Sequence, residues 1–81
     1  MYSLRYPPGV EAVWDSLPDD ARVEFDHAIL AVCEDPYART TPHAGDGDIK
    51  RLLILNHTRA LLLVFKHPVQ RVRILDLKHL G

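Results

Sequence analysis

The side chains with the clearest chemical potential lie in the second half of the chain. Arg71 and Arg73 stand two apart in RVRILDLKH, Arg59 opens RALLLVF, and Lys50-Arg51 lead KRLLIL. Residues two apart on a strand point to the same face of a sheet. Neighbouring strands lie about 5 Å apart, so cations from three strands can converge on one strip. Such a strip grips phosphates without a metal, and it can stabilise the extra negative charge of a phosphorane-like transition state. Lys78 or His79, just beyond, could then move a proton. In RNA the 2′-hydroxyl is an internal nucleophile, so a protein need only position, deprotonate and neutralise. Antiparallel sheets also carry Arg and Lys on wet faces, which keeps a solvated surface as the alternative.

Charge is unevenly divided along the chain. The 81 residues carry a formal net charge of −1, yet ten of the eleven acids fall at or before Asp48 and seven of the ten bases after it. Asp76 is the sole acid of the second part. An acidic first half and a basic second half suit a polyanion-facing surface on a neutral domain.

Other chemistries find little support. His43, His57, His67 and His79 are not paired at metal-ligand spacing, and Cys33 is the one cysteine, so zinc is not expected. Cys33 falls in the apolar stretch AILAVC and reads as a buried thiol in a reducing compartment. Asp46-Gly47-Asp48 has part of a calcium-loop pattern but lacks the remaining ligands. Ser3 and Ser16, the two serines, stand outside any nucleophile-elbow context. His27 reads as a solvated helix residue and Trp14 as a core anchor.

The elements that must position the cations are readable in outline. The length predicts a single domain over 1–81, with a core small enough to gain stability from a partner. Alternation over 2–6 predicts a short strand, ended by Pro7-Pro8-Gly9. Val10, Val13, Trp14 and Leu17 predict a short helix over 9–17. Ala21, Phe25, Ala28, Ile29, Val32 and Cys33 form the stripe of a longer helix that Pro36 stops. At its start, Ser16 with Asp19 or Pro18 in the first turn supplies the cap. Residues 35–48 predict a loop. Strands over 49–55, 59–66 and 71–77, joined by short turns, predict an antiparallel meander. Its middle strand is apolar on both faces, as a central strand should be, and the helices cover only one of them. A partner is the expected cover for the other. No apolar run is long enough to cross a bilayer and no signal-peptide core is present, which predicts a cytoplasmic protein.

A short strand, a two-helix hairpin and a three-stranded antiparallel meander make an α+β fold that resembles the RelE/ParE toxin superfamily. The residues carrying the resemblance are Tyr2 and Leu4, Leu17-Pro18, Glu34-Asp35-Pro36, Thr58-Arg59-Ala60-Leu61, and the run from Val72 to His79. It implies the toxin of a type II toxin–antitoxin pair, with a cognate antitoxin as partner and no cofactor. RelE-like members cut mRNA on the ribosome as metal-independent endonucleases, whereas ParE-like members poison DNA gyrase. Carried onto this chain, the resemblance implies Arg59, Arg73 and His79 as catalytic residues, with Lys50, Arg51, Arg71 and Lys78 binding nucleic acid. A homodimer is a further assembly to test. Two positions depart from the family pattern: Ile54 stands where an Arg is common, and Leu80 replaces the Arg after His79, with no Tyr following. These departures imply weakened catalysis, or a non-enzymatic inhibitory module such as a gyrase inhibitor. A plain RNA-binding domain is the third reading. Phe65 is the lone aromatic of the basic half, whereas single-strand binders commonly stack bases on several.

Overall fold

The computed structural model describes residues 1–43, 45 and 49–81. Asp46-Gly47-Asp48, with its partial calcium-loop pattern, lies outside the described residues. In chain order the elements are β1 (Ser3–Arg5), α1 (Pro8–Asp15), α2 (Asp19–Glu34), α3 (Pro36–Arg39), β2 (Thr41–Pro42), β3 (Lys50–Ile54), β4 (Thr58–Phe65) and β5 (Arg71–His79).

Proline and carboxylates set the helix boundaries. Pro8 takes the first turn of α1, where its missing N–H costs nothing. Ser16 belongs to the end of that helix, donating to the Val13 carbonyl at 2.9 Å rather than capping α2. Pro18 precedes α2, and Asp19 and Asp20 occupy its first turn, near the positive end of the helix dipole. Ala21, Phe25, Ile29, Val32 and Cys33 are its buried stripe. Pro36 both stops α2 and starts α3, whose first turn is closed by Asp35 Oδ1 accepting from the Ala38 amide. The predicted loop at 35–48 therefore contains a short helix and a two-residue strand.

The sheet is ordered β1-β5-β4-β3-β2. The expected antiparallel meander is β3-β4-β5, and β2 adds antiparallel to β3. β1 pairs parallel with β5, so the sheet is mixed. The core forms where Val10, Leu17, Phe25, Ile29 and Val32 of the helices meet Leu53, Ala60, Leu62, Val64, Val72, Ile74 and Leu77 of the sheet. Trp14 anchors this layer as expected. Its ring meets Phe25 edge-on at 4.9 Å, and its Nε1 donates to Asp26 Oδ1 at 2.7 Å. Burial pushes the Cys33 thiol above its ordinary pKa.

Two local devices position the open face. The first is a β-bulge. Leu61 pairs with Asp76 but Leu62 pairs with Ile74, which leaves Leu75 as an extra residue on β5. A bulge swaps the side-chain phase of the strand residues beyond it. Unbroken alternation would put Leu77 and His79 beside Arg71 and Arg73. Instead Leu77 joins the core, and Asp76 and Lys78 join the arginines. The second is Glu24 of α2, which closes the β3–β4 turn. Its carboxylate accepts from the His57 amide at 3.0 Å, the Asn56 amide at 3.3 Å and Asn56 Nδ2 at 2.9 Å. Desolvation pushes this carboxyl's pKa up, but those hydrogen bonds and the nearby His57 outweigh it and hold the pKa below its ordinary value of 4.5.

Candidate nucleic-acid interface

The helices contribute to one face of the sheet, and the strand register lays out the other as a grid. One row runs Ile54, Arg59, Lys78 across β3, β4 and β5. The next runs Thr41, Leu52, Leu61, Asp76 from β2 to β5. The third runs Lys50, Leu63, Arg73, Arg5 from β3 through β5 to β1. The last is Phe65, Arg71, Ser3. Directly paired residues project to the same side, so all of these share the open face.

Lys50, Arg59, Arg71, Arg73 and Lys78 therefore come together on one surface. They form two groups, Arg59 with Lys78 at one end and Lys50, Arg71 and Arg73 toward the other, joined there by Arg5. The two rows that hold Arg59 and Arg73 are about 13 Å apart at about 3.3 Å of strand rise per residue. Leu52 and Leu61 in the row between them, with Leu63 beside Arg73, make a half-buried apolar belt. Among the described residues the ion pairs are Arg22 with Asp15 and His57 with Asp20. Neither of these pairs involves an open-face cation.

Arg51 and His79 do not join them. Arg51 follows Leu53 to the helix-facing side and is 8% exposed. Its Nε donates to Thr40 Oγ1 at 2.9 Å, and Nη2 donates to the carbonyls of Thr40 at 2.9 Å and Tyr37 at 3.3 Å. The guanidinium also lies 5.1 Å from the Tyr37 ring centre, with Lys66 Nζ 4.8 Å from the same centre. In this position Arg51 ties α3 and β2 to the sheet. His79 pairs with Thr58, which is fully buried on the helix side, and alternation sends it to that side at the end of the strand.

Two residues reach the site that sequence reasoning did not place there. His43 lines a hollow of about 270 Å³ with Leu52, Arg59, Leu61, Asp76 and Lys78, and its Nδ1 is buried without a hydrogen-bond partner among the described residues. Asp76 arrives through the bulge, opposite Leu61. The alternation of Thr41 with His43 was the one available signal for the histidine, and it depends on the two-residue strand β2. This hollow offers two cations to neutralise phosphate charge, an imidazole able to exchange a proton and a carboxylate that can orient either. Among the described residues, no three His, Cys, Asp or Glu side chains cluster as metal ligands would.

The chain matches no protein-family profile and no curated protein. Its architecture does have a counterpart among solved structures. The crystal structure of the toxin–antitoxin complex RelBE2 from Mycobacterium tuberculosis includes a chain that superposes on this one with a TM-score of 0.78, at 15% identity, over 96% of both chains. At that identity the likeness is one of architecture, and the chain has a RelE-like α+β fold.

Proposed function

We propose that the chain is the toxin of a type II toxin–antitoxin pair and acts in the cytoplasm as a metal-independent, ribosome-dependent mRNA endonuclease. The observation that carries this reading is the cationic grid on a sheet face left open by the helices, on a fold shared over 96% of its length with a chain of a toxin–antitoxin complex. No described helix is long and apolar enough to cross a membrane. In this account Arg59 and Lys78, which share the hollow with His43, neutralise the phosphate that gains charge, and Lys50, Arg71 and Arg73, about 13 Å or more along the sheet, hold the neighbouring backbone. Proton transfer falls to His43, which shares the hollow with Arg59 and Lys78, rather than to His79. A cognate antitoxin covers the apolar belt of Leu52, Leu61 and Leu63.

Induced expression should arrest growth, and primer extension should find cuts at fixed codon positions in translated messages. Arg59→Ala and Arg73→Ala should relieve arrest more than His27→Ala, and His43→Ala more than His79→Ala. Growth unaffected by the wild-type chain, with intact messages, would refute the proposal. The exposed Ile54 in the row of Arg59 and Lys78 favours a second reading, a non-enzymatic gyrase inhibitor. Loss of supercoiling activity without RNA cleavage would select it.

A further inference from the structure

The arginines of β5 form the common wall of two adjoining hollows. On one side, Arg71 and Arg73 meet Arg5, Tyr6 and Pro7 around about 260 Å³. On the other, the same two arginines meet Phe65, His67, Pro68 and Val69 around about 340 Å³, at the small end of ligand-pocket sizes of about 300–1,000 Å³. Among the described residues, the first hollow is lined by three arginines and no carboxylate. Arg5 and Arg73 are direct partners in the parallel ladder, and like charges opposed in this way repel. Arg71 Nε is buried and finds no hydrogen-bond acceptor among the described residues. An unpaired buried donor beside an unrelieved cationic pair calls for an anion with several acceptor oxygens. The second hollow offers an aromatic ring: Phe65 pairs directly with Arg71, so ring and guanidinium project side by side.

We infer that these hollows form a single-nucleotide subsite, with the phosphate between Arg5, Arg71 and Arg73 and the base stacked on Phe65. The subsite rests on the nucleic-acid reading of the open face and names where one nucleotide is held, well away from Arg59 and Lys78. Arg gives a phosphate paired, planar donors, and an aromatic face accepts any base with little sequence preference. An acidic peptide could meet the arginines but has no planar group for Phe65.

The test is a titration of the isotope-labelled full chain with adenosine monophosphate, adenosine, inorganic phosphate and a short glutamate peptide, read by NMR. The nucleotide should shift Phe65, Val69 and Arg71 signals saturably and raise the melting temperature. Phosphate should shift the arginine side alone, and adenosine should bind at least tenfold more weakly than the nucleotide. Phe65→Leu, which keeps an apolar side chain but no ring, should weaken nucleotide binding about tenfold, as should Arg71→Gln, while Arg39→Gln should not change it. Nucleotide shifts confined to Arg59 and Lys78, or a glutamate peptide binding as tightly as the nucleotide, would overturn the inference. So would unchanged affinity in Phe65→Leu. These results are separate from the cleavage assay: the subsite can fail while messages are still cut, and it can bind nucleotide when no message is cut.

Discussion

Arg51→Met should destabilise the protein without removing a phosphate contact. The change keeps most of the side-chain volume and deletes the guanidinium. It strips the Thr40 and Tyr37 carbonyls of their charged donor and takes the cation from beside the Tyr37 ring. Leaving a buried acceptor unsatisfied costs about 1–3 kcal/mol, and a partly desolvated cation–π contact adds about 0.5–2 kcal/mol. Relief of the desolvation of a buried charge offsets part of this, leaving a net loss of about 2–4 kcal/mol. A chain of this size has about 4–12 kcal/mol to lose. The melting temperature should then fall by roughly 10–25 °C, and the urea midpoint by about 2–4 M at a slope near 1 kcal/mol/M. Trp14, packed between Tyr6 and Phe25, reports the transition by fluorescence. Single-stranded RNA affinity, measured where the variant is still folded, should match wild type. Stability within about 0.5 kcal/mol of wild type, with RNA affinity several-fold weaker, would refute the reasoning and return Arg51 to the phosphate-binding set.

The same geometry sets three further outcomes. Thr58 is fully buried, and its Oγ1 has no hydrogen-bond partner among the described residues, so Thr58→Val should stabilise the protein by roughly 0.5–1.5 kcal/mol in urea titration; a destabilised variant would mean the hydroxyl has a partner. The Glu24 carboxyl has its folded-state pKa below 4.5, so its contribution is complete above that pH and is lost as pH falls through the lower folded value. Wild type should therefore lose more stability than Glu24→Gln on acidification below about pH 4.5, and parallel pH profiles would contradict this. Ile54→Arg would place a third cation in the row of Arg59 and Lys78. It should strengthen RNA binding and steepen its salt dependence by about 0.7 in log–log slope, and an unchanged slope would show that the row does not meet phosphate.

The parts of the fold that were legible in the sequence are those with clean periodicity. The stripe from Ala21 to Cys33, the proline stops and the short turns of the meander were enough for the α+β outline. The rest was hidden for specific reasons. In β3 neither phase is cleanly apolar or polar, with Arg51 and Leu53 in one and Leu52 and Ile54 in the other, so alternation could not tell which way Arg51 points. The Leu75 bulge is one inserted residue with no Gly or Pro to mark it, yet it exchanges His79 for Lys78 on the open face. The parallel pairing of β1 with β5, which brings Arg5 to Arg73, joins residues far apart in sequence and leaves no local trace. The placing of Arg71 and Arg73 on one face followed from spacing alone, and the antiparallel meander was enough to put Arg59 and Lys50 on that same face, though not to show that Arg59 stands about 13 Å along the sheet from Arg73.

The most direct test of the open face is to compare RNA affinity across charge-removing variants on its two sides. Arg59→Gln, Arg71→Gln and Arg73→Gln should each weaken binding of a single-stranded RNA and lower the salt slope by about 0.7, while Arg22→Gln and Arg39→Gln, outside the grid, should leave both unchanged. Equal losses from all five would reduce the interaction to net charge and contradict a nucleic-acid site on the sheet.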